Sequence, residues 1–190
     1  MSMTDLVFTQ ARTHRTFSDK PVSKGQMNAL YELVKYAPTA SNLCPMRVSF
    51  VTSQAQKQKV IEAAASGNRA KIQTAPVVAI IAYDQDYHSH MDKLAPHMNE
   101  AAFQQQDDEI LRAIGIENTW LQAGFFIAGA RALGLDCGPM SGFDKVKIDE
   151  AFYSRSTWRS QMLINLGYGV TDTLYERGHR LPFEEACEIV

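Results

Sequence analysis

Apolar residues recur along the chain with changing period, and each change marks an element. SKGQMNALYELVKYA places Met27, Leu30, Leu33, Val34 and Ala37 at helical spacing behind a serine N-cap, Ser23. VSFVTS, short and apolar, predicts a strand, and SQAQKQKVIEAAA a second capped helix starting near Ser53. APVVAIIAYD is a β-branched apolar run of strand length, without polar alternation, so it predicts a strand buried on both faces. Residues 84 to 112 turn polar, rich in Gln, Asp and His, and predict a helical excursion over the surface. NTWLQAGFFIAGARALG is apolar nearly all round and too long for a strand, which predicts a buried central helix. DCGPMSGFD, with Gly138, Pro139 and Gly142, then predicts a short turn whose backbone is unusually bare. SQMLINLGYG gives a third strand, and PFEEAC a short helix with Pro182 at its first position. Helices and strands mix without strict alternation, which predicts an α+β fold.

Length and composition change this picture little. A chain of 190 residues is expected to form a single domain, 1–190, with a substantial core. Its net charge of -2 gives no electrostatic reason to expect nucleic acid or a membrane surface as partner. Cys44, Cys137 and Cys187 are odd in number and far apart, so reduced thiols are expected rather than a disulfide framework or a zinc site. The N-terminus lacks a basic region followed by an apolar run, and no stretch is long enough to span a bilayer; a cytoplasmic location is expected.

The familiar nucleotide and hydrolase motifs are missing. There is no G-x-x-x-x-G-K-[ST], no G-x-G-x-x-G between strand and helix, and no G-x-S-x-G. A phosphate-bearing ligand would therefore need side-chain cations. ARTHRTF offers Arg12 and Arg15 either side of Thr13: guanidinium groups bind phosphate through paired, charge-assisted hydrogen bonds, and a hydroxyl adds a donor. On spacing alone a solvated basic helix end is the favoured reading of the cluster. DYHSHMDKLAPHMNEAAF contains His88, His90, Asp92 and His97, but no helix-spaced pair or closing ligand, so no metal is expected.

Four stretches in order change the weighting. ARTHRTF resembles the R-R-S-x-R-x-F signature of the nitroreductase superfamily, and APTASNLCPMR resembles its A-P-S-x-x-N-x-Q-P-W-R element. GLDCGPMSGFD resembles its G-L-x-x-x-P-I-x-G-F turn, and INLGYG with RGHRLPFEEA its C-terminal strand and late arginine. Within that superfamily ARTH, SGN, TAPV, RALGLDCGPMSGFD and LPFEEAC look like the malonic semialdehyde reductase subgroup. The resemblance implies a nitroreductase-like fold: a central mixed sheet flanked by helices, with a long buried central helix. It also implies FMN as cofactor, NADH or NADPH as donor, and a homodimer with flavin at the subunit interface.

Matching residue by residue, the resemblance places Arg12 and Thr13 at the FMN phosphate and ribityl chain, and Arg15 near flavin N1 and O2. Asn68 and Lys71, in GNRAK, which by itself reads as a polar loop before a strand, match residues at the pyrimidine edge of the ring. Pro139, Ser141 and Gly142 match the backbone beside N5, where bare glycines would let main chain approach an aromatic plane. Asn42, with Thr39 and Ser41 beside it, matches a contact made from the neighbouring subunit, and Arg180 the late phosphate arginine, with Arg177 near it. No catalytic acid or base is implied, since flavin N5 carries the hydride. Gln and Trp of the family element are replaced by Cys44 and Met46, and Phe125 stands where many relatives carry a polar residue. Lys93, His97 and Phe103 are candidates to face a small-molecule acceptor. Malonic semialdehyde, reduced to 3-hydroxypropanoate, is the acceptor implied; a broad nitroaromatic or quinone reductase and a non-catalytic flavin-binding protein are the alternatives.

Overall fold

A computed structural model of the chain describes residues 2–190, and for Ala102 the backbone alone. Four strands, β1 (Met46–Val51), β2 (Val77–Asp84), β3 (Asp136–Met140) and β4 (Trp158–Gly167), form one sheet in the order β1-β2-β4-β3. All three strand pairings are antiparallel. The strands β2 and β4 are central and carry the longest apolar runs; all eight residues of β2 are buried.

Helices cover both faces, because both faces of the central strands are apolar. Ala79, Ile81, Ile164 and Leu166 pack on one side against Leu30 and Val34 of α1 (Lys24–Val34) and Phe126 and Ala130 of α6 (Asp108–Ala132). Val78, Ile80 and Leu163 pack on the other side against Val60 of α2 (Gln54–Ala63), Ile72 of α3 (Ser66–Thr74) and Ile148 of α7 (Lys145–Phe152). Each such aliphatic side chain contributes about 1.5–3 kcal/mol by leaving water. The excursion after β2 contains α4 (Met91–Leu94) and α5 (Glu100–Gln104), and it covers a separate cluster of Leu43, Tyr87, Met91, Phe103 and Leu111. A short α8 (Phe183–Ala186) lies in a C-terminal segment whose residues 175–190 are nearly all exposed.

Most predicted elements are present, with four corrections. DCGPM is an edge strand, β3, not a turn; Pro139 is tolerated because an edge strand need not donate on both sides. GNRAK lies inside α3 rather than in a loop, and only Ile72 of that helix is buried, so the apolar stripe was too thin to read. Pro182 is the N-cap of α8, one place before its expected position. The central helix is buried on one face only: Trp120 and Phe125 on its other face are 41% and 44% exposed. Among the described residues the sheet is mixed only through an isolated parallel bridge from Thr13, which lies outside the strands, to Cys137 of β3. Gly134, with φ +75°, ends α6: Leu135 N donates to Ala130 O and Gly134 N to Arg131 O, satisfying the last carbonyls.

Candidate functional site

The segment after the first helical turn (Asp5–Thr9) runs beside β3, with His14 N donating to Cys137 O at 3.0 Å. There Arg12, Thr13 and Arg15 line a cavity of about 540 Å³ together with Arg131, Arg177 and Arg180. The guanidinium groups are oriented by main-chain carbonyls. Arg12 donates to Tyr175 O, Arg177 to Ala11 O at 3.1 Å, Arg131 to Val7 O at 3.3 Å, and Arg180 to Gly178 O and His179 O. Arg15 stacks on the Tyr175 ring, 4.4 Å from its centroid. Among the described residues none of the five forms an ion pair, and Glu176 is the one acid lining the cavity. The buried Nε of Arg131 has no hydrogen-bond partner among the described residues. Five like charges gathered with Glu176 as the one acid lining the cavity repel one another, and an anion relieves that repulsion.

Following β3 leads to a second group. Ser141 and Gly142 leave the strand beside α3, where Asn68 donates to Gly142 O at 3.0 Å and Lys71 donates to Asn68 Oδ1 at 2.9 Å. The bareness of this stretch is used by the protein itself. A Cβ at Gly138 would lie 2.6 Å from His14 O, and one at Gly142 would lie 2.8 Å from the Asn68 amide. Of the predicted residues, Arg12, Thr13, Arg15 and Arg180 share the arginine cavity, while Pro139, Ser141, Gly142, Asn68 and Lys71 follow along β3 and α3.

Thr39, Ser41 and Asn42 lie elsewhere, on the α6 side of the sheet. Ser41, Asn42 and Cys44 all have left-handed φ, at 49°, 57° and 44°. The turn is held by polar side chains of α6: Asn118 Oδ1 accepts from Ala40 N at 2.7 Å, and Gln122 Oε1 accepts from Met46 N at 2.9 Å. Asn42 donates to Leu94 O at 2.8 Å, and Thr39 Oγ1 accepts from Cys44 N at 3.1 Å. This turn opens on a larger cavity, about 830 Å³, walled by Tyr31, Tyr36, Phe50 and Trp158 and carrying Lys93 and His90. Asn118 and Arg131 are thirteen residues apart on α6, about 20 Å at 1.5 Å per residue, so one chain keeps Asn42 far from the arginines.

Of the candidates to face an acceptor, Lys93 does line the larger cavity, whereas Phe103 is buried against Tyr87 and His97 lines neither cavity. Sequence reasoning missed Arg131, Asn118 and Gln122. The last two are readable only as polar residues four apart in an otherwise apolar helix. Burial pushes the Cys137 thiol up to about 12, so it stays protonated and inert. Cys44 is half-buried, its Sγ 3.4 Å from Asn42 Oδ1. Among the described residues no three His, Cys, Asp or Glu side chains converge as a metal would require, and no helix is long and apolar enough to cross a membrane.

The family model described as "Nitroreductase family" matches residues 9–168. A protein of Ralstonia nicotianae, provisionally named an NADH dehydrogenase/NAD(P)H nitroreductase, is 41% identical over 189 residues, covering 100% of this chain and 97% of its own. A provisionally named nitroreductase of Bacillus subtilis superposes with a TM-score of 0.87 at 26% identity, covering 98% of both chains. Another, from Exiguobacterium sibiricum and crystallised in complex with FMN, superposes with a TM-score of 0.88 at 20% identity over 100% of this chain and 98% of its own.

Proposed function

Because the chain belongs to the nitroreductase family, we propose that it is an NAD(P)H-dependent oxidoreductase whose arginine cavity holds the phosphate of FMN. The carrying observation is the convergence of five guanidinium groups with no ion-pair partner among the described residues, one of them with an orphaned buried Nε. That donor set fits a single dianionic phosphate. When bound, FMN would supply hydride transfer between NADH or NADPH and a small acceptor.

The chain's residues then bind and orient. Arg12, Arg180 and Arg177 hold the phosphate, and the Thr13 hydroxyl adds a donor. Arg15, steadied on Tyr175, sits toward the N1 and O2 edge of the ring, where a fixed cation favours negative charge. Asn68 orients Lys71, which keeps donors free for the pyrimidine edge. Pro139, Ser141 and Gly142 present the backbone near N5. Thr39, Ser41 and Asn42 reach the flavin from a second copy, since their own chain holds them about 20 Å away along α6. A homodimer would also cover Trp120, Leu121 and Phe125 and give the exposed Leu181, Phe183 and Ile189 a surface. We place the enzyme in the cytoplasm as one domain, 1–190, with reduced thiols.

For the acceptor, Lys93 and His90 in the larger cavity suit a small carboxylate such as malonic semialdehyde. The aromatic wall of Tyr31, Tyr36, Phe50 and Trp158 favours a second reading, a planar nitroaromatic or quinone acceptor. The deciding experiment is cofactor release. The purified protein should be yellow and yield FMN rather than FAD on denaturation, and a colourless chain that fails to bind added FMN would sink the reading. Bleaching by NADH or NADPH then separates an enzyme from a flavin carrier, and turnover with malonic semialdehyde against a quinone separates the two acceptors.

A further inference from the structure

We propose that His14 is a positioning residue for the arginine cavity: paired with Asp136 and seated on Gly169, it sets which side chains of segment 12–17 face the ligand. The proposal rests on the reading of that cavity as the flavin-phosphate site. In this segment only His14 and Phe17 are buried; Thr13 is exposed, and Arg12, Arg15 and Thr16 are half-buried. The backbone is paired on both sides, His14 N to Cys137 O, Ser18 N to Tyr168 O and Val170 N to Thr16 O. Main-chain bonds repeat from residue to residue and do not by themselves forbid a slip; side chains must do so.

Phe17 anchors by filling apolar space, and many residues could do that. His14 is more demanding. Its side chain is almost wholly enclosed, with Nε2 3.3 Å from Asp136 Oδ1, while Asp136 Oδ2 accepts from Gly169 N at 2.8 Å. Its ring occupies the place a Cβ at Gly169 would take, 1.9 Å from Nδ1, just as its carbonyl occupies the place of a Cβ at Gly138. Two glycines are thus cut to receive one residue. A slip by one would drive Thr13 or Arg15 into that slot and turn His14 toward the ligand. Threonine cannot reach Asp136, and arginine is too large for the space over Gly169. The buried Nδ1 has no partner among the described residues, which an apolar side chain of similar volume would avoid. The polar residue therefore adds specificity of register more than stability.

The test compares FMN dissociation constants and melting temperatures for wild type, His14→Leu, His14→Gln, Asp136→Leu and a remote core variant, Val60→Ala. His14→Leu should weaken FMN by roughly tenfold or more. Val60→Ala should lower the melting temperature while leaving FMN affinity unchanged. His14→Gln, whose amide N–H can extend toward Asp136, should recover affinity to within about threefold. Asp136→Leu should match His14→Leu, and the double variant should lose little more. Unchanged affinity in His14→Leu overturns the proposal, as does a loss that Val60→Ala shares or that glutamine does not relieve. If His14→Leu fails to fold, His14→Asn stands in: its shorter amide falls short of Asp136, and wild-type affinity there overturns the proposal equally. A wild type that binds inorganic phosphate but no FMN overturns the flavin reading instead, and the phosphate-dependent rise in melting temperature then carries the same comparison.

Discussion

At the C-terminal end of α6 five guanidinium groups converge, four aimed by main-chain carbonyls and Arg15 by the Tyr175 ring, whereas about 20 Å back along the same helix the turn carrying Asn42 is aimed by two buried amides. The first region concentrates charge and leaves it unpaired. The second is neutral at the turn and holds its backbone in left-handed conformations that non-glycine residues seldom adopt. Strength in the first comes from electrostatics and in the second from shape. One chain therefore carries two unlike regions, a cluster of cations and a shaped wall. On the function proposed above the first is an anchor, and a second copy would bring the two together.

The largest expected effect tests the anchor. Each charge-assisted contact contributes about 1.5–3 kcal/mol, so Arg12→Ala combined with Arg180→Ala should weaken FMN by about 10²–10⁴-fold. Asn42→Ala should weaken it by no more than about tenfold. Fluorescence titration of FMN reads both, and equal losses would erase the distinction between the regions. Next in size is a division within the anchor. If Arg15 serves the ring rather than the phosphate, Arg15→Ala should lower the potential of bound flavin by about 30–60 mV, since 30 mV is about 1.4 kcal/mol for two electrons. Arg12→Ala should leave that potential unchanged. A redox titration at saturating FMN in which Arg15→Ala only loosens binding would make both arginines phosphate ligands and pass the ring to Lys71.

A smaller effect tests the wall. Asn118→Leu removes the acceptor for Ala40 N and should cost about 1–3 kcal/mol in urea unfolding, with inorganic phosphate binding unaltered. Phosphate binding that weakens in parallel would mean the two regions are not independent. The smallest concerns Tyr175. Its stacking on Arg15 should contribute only about 0.5–1 kcal/mol, so Tyr175→Ala should change FMN affinity less than about fivefold. A larger loss would show that the C-terminal segment itself closes over the ligand.

The anchor was more legible in the sequence than the wall. Arginines flanking a threonine suit phosphate chemistry, but on spacing alone they favour a solvated helix end; the resemblance in the order of four motifs is what joins them to Arg180, with Arg177 beside it. Arg131 gave no signal, because a cation in the last turn of a helix ordinarily serves the helix dipole. The strands β1, β2 and β4 and the helices α1 and α2 were readable from apolar period and serine caps. The edge strand β3 was hidden because Gly138 and Pro139 are turn residues, and what Gly138 makes room for, the His14 carbonyl, is remote in sequence. The exposed face of α6 could not be foreseen, since an apolar helix reads the same whether its own chain or a second copy covers it.

The turn at Ser41, Asn42 and Cys44 also bears on how the protein would respond to selection. Glycine adopts the left-handed region freely, whereas other residues give up about 1–2 kcal/mol there, asparagine less. Screening for heat resistance alone would drift toward glycine at these positions and strip Asn42 and Cys44 from the wall of the larger cavity. Screening for turnover would keep them and accept a lower melting point. On the function proposed above, thermal resistance and turnover pull in opposite directions at this turn, so a stability library should leave it fixed.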